Sequence, residues 1–262
     1  MPRSFVLLPA LPVLVLLTAC AASTRHVPSV GDDSMQFSSN ALEGGLPQGW
    51  EPFIVRPDKN RTDYALARDR VPDDTGTLTD ATVLRAVAQS AASGLVMRTK
   101  VDPTQTPILR WRWKVVTPIQ GADGMQRHLD DYPARIILAF DGDRSTLPVR
   151  ERVIAEQARL FTGQPLPYAT LIYVWDPRHP RERSFRNAYT DRVRTLVAQT
   201  GEDGVGAWHV HERDIAADFQ AVFGEAPGML IGVSVMTDSD NTRTHAEALY
   251  GDIRLHARAM KP

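Results

Sequence analysis

The sequence predicts an all-β domain, an antiparallel β-sandwich with two short inserted helices. Three observations predict it. From about Trp50 onward the chain is a series of short β-branched and aromatic runs separated by turn residues. One of those runs, Ile108 to Val116, alternates in character at every step. Only two stretches break the pattern with helical composition.

Taken in order, the expected strands are Glu51 to Val55, Asp63 to Ala67, Thr82 to Ala88, Gly94 to Val101, Ile108 to Val116 and Ala134 to Phe140. They continue with Ala169 to Trp175, Asp191 to Gln199, Ala207 to Glu212, Met229 to Met236 and Leu249 to Ala257. Pro148 to Phe161 is rich in Arg, Glu, Ala and Gln and has no Gly, which reads as a helix. Asp214 to Phe223 opens on a capping Asp and stops at Gly224, which reads as a second. With neither an internal repeat nor a second linker, residues 49–262 form one domain, a length ordinary for a single sandwich.

In the best-patterned strand, Leu109, Trp111, Trp113 and Val115 share one face and Arg110, Arg112 and Lys114 the other. The first face is core, and the second is a row of three cations. Arg98 with Lys100, and Arg192 with Arg194, repeat the parity in their own strands, so neighbouring strands would join these rows into one basic face. Guanidinium forks recognise carboxylate and phosphate by two-point hydrogen bonding. Tyr168, Trp175 and Trp208 are candidates for an aromatic platform beside such a face. The alternative is that the cations pair with acids such as Asp130 and Asp131, or lie solvated.

The start of the chain has the three parts of an export signal: Arg3, an apolar run from Phe5 to Leu17 and small residues before a cleavage point. Pro9 and Pro12 interrupt the run, and it is shorter than the roughly 18 to 20 residues that span a bilayer. Leu17-Thr18-Ala19-Cys20 resembles the bacterial lipobox, whose thiol is diacylated and becomes the new N-terminus, and the chain's single cysteine falls there. Residues 1–19 are thus expected to be a lipoprotein signal peptide and Cys20 the lipidation site. Ala21, standing where Asp would retain a lipoprotein in the inner membrane, implies sorting to the outer membrane, facing the periplasm. Residues 20–48, Ser, Gly, Pro and Asp rich, read as the lipidated Cys and a flexible tether.

Loss of the signal removes Arg3 and no acid, leaving 29 cations against 31 acids, a net charge of -2. Such a balance argues against a nucleic-acid partner. With one cysteine, the exported domain has no disulfide and depends on its core.

Four blocks, Trp111-Arg112-Trp113-Lys114-Val115, Leu166-Pro167-Tyr168-Ala169-Thr170, Met236-Thr237-Asp238-Ser239-Asp240-Asn241-Thr242 and Tyr250-Gly251-Asp252-Ile253, resemble the bacterial family called domain of unknown function 3047. The resemblance runs from about Trp50 to Leu255 and implies a kind of domain without an activity. Tyr250-Gly-Asp-Ile-Arg-Leu255 is also similar to the closing strand of galactose-binding-like jelly rolls. That second likeness implies a jelly-roll sandwich and, at Asp252, a ligand to a structural calcium.

Candidate chemistry is sparse. Asp238, Asp240 and Asn241 concentrate oxygen donors in one loop, which suits a hard cation such as Ca²⁺ if the fold returns Asp252 to them. A polar turn capping its own backbone explains the same residues. Asp130-Asp131 and Asp141-Gly142-Asp143 flank one strand at about 20 Å, too far apart for the carboxylate pair of a glycosidase. His209 and His211 share one face of a strand but lack an evident third ligand. Gly232-Val-Ser-Val-Met236 lacks the second glycine of a nucleophile elbow, and the one thiol is the lipidation site. The preferred reading is therefore a non-catalytic binding module for envelope glycan or another anionic ligand, with Arg110, Arg112, Lys114, Tyr168 and Trp175 as its contact residues. An envelope glycan hydrolase using loop carboxylates, or a structural lipoprotein that binds another envelope protein through an apolar patch, are the alternatives.

Overall fold

The computed structural model describes residues 35–42, 45–162 and 166–258. The expected signal peptide and Cys20 lie outside the described residues.

Among the described residues thirteen strands form two sheets packed as a sandwich. The seven-stranded sheet runs in the order β1 (Trp50–Ile54), β4 (Ala92–Val101), β11 (Leu230–Asp238), β6 (Arg135–Phe140), β7 (Ala169–Asp176), β9 (Val193–Thr200), β8 (Ser184–Arg186). The other runs β10 (His209–Asp214), β5 (Ile108–Thr117), β12 (His245–Tyr250), β3 (Leu78–Gln89), β2 (Asp63–Pro72), with β13 (Arg254–His256) also pairing β5. Among these strands β7 and β9 pair in parallel and the other pairs are antiparallel. The exception arises because the chain leaving β7 passes the place of β9, forms the short β8 at the edge, and turns back between them. At three residues with one apolar side chain, β8 carries too little pattern to be read from sequence.

The alternation of β5 sets the core. Leu109, Trp111, Trp113 and Val115 are fully buried, as their parity requires. Trp111 stacks on Tyr173 of β7 with ring centroids 5.1 Å apart, and Trp113 meets Trp175 at 6.4 Å. These contacts clamp the two sheets, and truncating one such ring to Ala costs about 3 to 5 kcal/mol.

Both helices form where expected, as α1 (Val149–Thr162) and α2 (Ile215–Phe223). Asp214 caps α2 by accepting from the Ala217 amide at 3.0 Å, and Gly224 ends it at φ +78°, the left-handed geometry that glycine adopts without strain. Phe219 seats α2 against Phe140.

Three expectations need correction. The flexible tether does not extend to residue 48, because Met35 and Phe37 are buried in the core and Phe37 packs on Trp50 with ring centroids 5.1 Å apart. Leu249 to Ala257 is not one strand, since β12 stops at Tyr250 and β13 resumes at Arg254. The basic rows do not merge: Arg98, Lys100 and Arg194 belong to the seven-stranded sheet, whereas Arg110, Arg112 and Lys114 belong to the other. Arg192 lies just ahead of β9.

Candidate functional site: an arginine-lined cavity beside a broken strand

The break after Tyr250 builds the site. Tyr250 is in register with Leu84 of β3 and Trp113 of β5, so up to that residue β12 fills the space between those strands. The next residue, Gly251, donates its amide to the Arg112 carbonyl at 2.9 Å and lies so close that a Cβ there would sit 3.2 Å from the Arg112 Cβ. Ile253 then turns into the core, and Arg254 rejoins β5 opposite Arg110. A cavity of about 180 Å³ remains between β3 and β5, its charged lining being Arg112, Arg254, Asp73, Asp74 and Asp252.

Three guanidiniums converge on one carboxylate at its wall. Asp74, in the turn joining β2 to β3, accepts from Arg112 Nη2, lies 3.1 Å from Arg110 Nη2 and 3.6 Å from Arg254 Nη1. The turn is held by Asp73, whose carboxylate accepts from the Thr75 amide at 2.8 Å and the Thr77 amide at 3.0 Å, with Gly76 at φ +88°. Asp73 thereby shapes the loop and leaves Asp74 to project.

The two sides of this contact are unequal. The Arg112 side chain is 7% exposed and built into the sheet, while that of Asp74 is 56% exposed. The Nε atoms of Arg110, Arg112 and Arg254 are buried and have no hydrogen-bond partner among the described residues. Every cation of the β5 row is nonetheless paired with an acid, Arg110 and Arg112 with Asp74 and Lys114 with Asp69, which is the alternative that the sequence left open. Glu212, 3.5 Å from Arg110, and Asp252, 3.4 Å from Arg254, complete the local charge balance.

The other predicted binding residues are committed elsewhere. Lys114 pairs with Asp69 and lies 5.5 Å from the centre of the Trp208 ring, whose Nε1 donates to the same Asp69. Tyr168 is buried, its ring lies 4.2 Å from the Arg192 guanidinium, and its hydroxyl is 3.3 Å from Glu225. Trp175 is 1% exposed and donates its Nε1 to the Gly201 carbonyl. Neither ring is a platform for a ligand, because protein already covers it.

The expected calcium loop is also corrected. Asp238 and Asp240 come together with Asp131, their oxygens within 4.8 Å of one another, but Asp252 is bound elsewhere, accepting from Ser38 N at 2.9 Å and Ser38 Oγ at 2.6 Å. Asn241 donates its backbone amide to Asp131 at 3.2 Å and its side-chain Nδ2 to the Asp130 carbonyl at 3.1 Å. Arg135 binds Asp238 through two nitrogens, Lys59 meets Asp240 at 2.6 Å, and Asp131 accepts from Thr242 N and Oγ1. A calcium ion would have to displace these donors, so the residues present do not fit one. Burial, with Asp131 and Asp130 nearby, raises Asp238 to about 7 against the pull of Arg135.

His209 and His211 face the interior. His211 stacks on Trp111 at 5.0 Å, and burial followed by the nearby Arg181 lowers its pKa to about 3, so it is neutral. His209 meets the Gly204 carbonyl at 3.0 Å. Asp143 caps its own turn through Ser145. The loop carboxylates named from the sequence therefore form no pair poised across an open cleft.

Sequence reasoning named Arg110 and Arg112 but missed Arg254, Asp74 and Ser38. Arg254 was concealed by reading the closing segment as one strand. Asp74 stands in a run that signals only a turn, and nothing local ties it to Arg112, 38 residues away.

The fold and cavity define an all-β, jelly-roll-like sandwich with a recess on the outer face of one sheet, where Arg112 and Arg254 stand beside Asp73, Asp74 and Asp252. The chain belongs to the family described as "Protein of unknown function (DUF3047)", whose model matches residues 48–254. No curated protein matches it. Among solved structures it is similar to an MgGH51 α-L-arabinofuranosidase bound to arabinose, at 9% identity and a TM-score of 0.41, over 85% of this chain and 25% of that one. The chain thus spans a quarter of that enzyme's length. It is also similar to a cyclase from Fischerella sp. TAU, at 11% identity and a TM-score of 0.40, over 90% of this chain and 98% of that one. A third is the cellulose induced protein Cip1, at 12% identity and a TM-score of 0.34, over 81% of this chain and 93% of that one.

Proposed function

We propose that this is an exported protein, anchored to the outer membrane by lipid on Cys20, whose sandwich is a non-catalytic binding module for an anionic ligand of the cell envelope. The envelope's glycans are the first class to test. The ligand binds at the cavity, with Arg112 and Arg254 of its lining as contacts and Arg110 beside the Asp74 position. The observation that carries this reading is the convergence of three guanidiniums on one half-exposed carboxylate beside a cavity. Arginine forks in a partly desolvated wall bind planar anions more strongly than solvated surface cations do.

Incubation of the full chain in detergent with purified cell-wall sacculi tests it, scoring both protein in the pellet and fragments released. Pelleting without release is the expected result. Released fragments would establish the hydrolase reading instead, and absence from the pellet would remove the cell-wall glycan as ligand.

A further inference from the structure

Resting on the cavity as a binding site, we propose that the group it takes is a carboxylate carried on a sugar-sized polar body, and that Asp74 occupies that position in the free protein. The occupant itself points to the ligand. Asp74 presents two oxygens to three forks: Oδ1 faces Arg112 and Arg110, and Oδ2 faces Arg254. A free carboxylate reproduces that planar, two-oxygen pattern, and a neutral hydroxyl does not.

Asp74 also satisfies the site incompletely. It is tethered to a turn whose shape Asp73 and Gly76 fix, and it stays 3.1 Å from Arg110 and 3.6 Å from Arg254 while accepting from Arg112, so an untethered carboxylate can meet all three more evenly. Displacing Asp74 costs little of the fold, because its side chain is 56% exposed and lies in the turn beyond β2. A carboxylate released in this way is resolvated by water.

The cavity limits what can carry the group. At about 180 Å³ it admits a body of monosaccharide size, and its walls mix Ser38, Thr79 and Thr82 with the apolar Val71 and Val83, while the lining carboxylates Asp73 and Asp252 are held by Thr75, Thr77 and Ser38. A hydroxylated ring with one polar and one apolar face suits such a lining. The shared chemistry is therefore a sugar acid, whether a free uronate or an acidic residue at a glycan end.

Because Asp74 competes from within the same chain, the native protein binds weakly and the variant Asp74→Asn binds more tightly. The test is calorimetric titration of the full chain in detergent, at low salt, with D-glucuronate, D-glucose and inorganic phosphate. The expected result is glucuronate binding strengthened about tenfold or more by Asp74→Asn, little binding of glucose, and loss of glucuronate binding in Asp74→Asn combined with Arg254→Gln. If Asp74→Asn takes phosphate as tightly as glucuronate, the carboxylate assignment fails while the anion site stands. If Asp74→Asn, folded by its thermal transition, takes neither anion, the binding site itself is refuted. Oligomeric acidic glycan in a final arm separates a chain end from a free uronate, and binding of neither ligand carries the same refutation.

Discussion

The amide of Gly251 donates to the carbonyl of Arg112 at 2.9 Å, and this bond sits at the point where the last long strand leaves the sheet. Close approach of the two backbones there aims the Arg112 side chain into the gap that the departing strand leaves. The first prediction concerns that approach. Gly251→Ala places a methyl 3.2 Å from the Arg112 Cβ and 3.5 Å from the Trp208 ring, so Arg112 must shift. Overpacking of this kind costs about 1 to 3 kcal/mol. We expect a modestly lowered thermal midpoint and weakened anion binding, checked by melting and titration side by side.

His211 supplies a pH test. Its folded pKa, lowered to about 3 by burial, lies below the value near 6.5 that it takes when unfolded. The neutral ring therefore stabilises the fold above about pH 6.5, and that contribution is lost as pH falls toward 3. Asp238, raised to about 7, acts in the opposite sense, losing stability as pH rises from about 4. The difference between wild type and His211→Phe isolates the histidine. Between pH 7 and 4.5 the wild type should lose about 2 kcal/mol more than the variant, measured by urea unfolding at each pH.

Arg135 and Asp238 form a buried pair at the end of β6, with the Arg135 Nε 2.7 Å from Asp238 Oδ1. Arg135→Met leaves Asp238 buried beside Asp131 and Asp130 without its cation. Without Arg135 the carboxyl takes a proton at pH 7, so the cost grows as pH rises and reaches about 3 to 5 kcal/mol where it is forced to ionise, and adding Asp238→Asn should recover part of that alkaline loss. Chemical unfolding of the single and double variants measures both effects.

The proposed anchor is testable without the fold. Cells fed an alkyne-tagged fatty acid should label the wild-type chain, and Cys20→Ser should abolish the label and release the protein from the membrane fraction. Equal labelling of both would remove Cys20 as the acceptor.

Much of the sandwich was legible because β5, β7 and β11 carry their burial in their own residue order. The parity of Leu109, Trp111, Trp113 and Val115 gave both the core face and the cation face directly. The site was half legible. Arg110 and Arg112 follow from the same parity, but a sequence does not show where a strand breaks, and the cavity exists because Gly251 ends β12 early. Partners were invisible for a related reason: Asp69 and Asp74 reach Lys114 and Arg112 across the sheet, 45 and 38 residues away in the chain. The aromatic candidates failed on burial, since Trp175 and Tyr168 sit in patterns that look the same whether a ring faces core or solvent.

The most direct test of the central claim is cosedimentation with sacculi of wild type and Arg112→Gln, each first shown to be folded. Arg112 reaches the cavity from a rigid strand, so its loss should lower the pelleted fraction at least about tenfold at low salt while the thermal transition persists. Equal pelleting of the two proteins would contradict the account and place the binding surface elsewhere on the molecule.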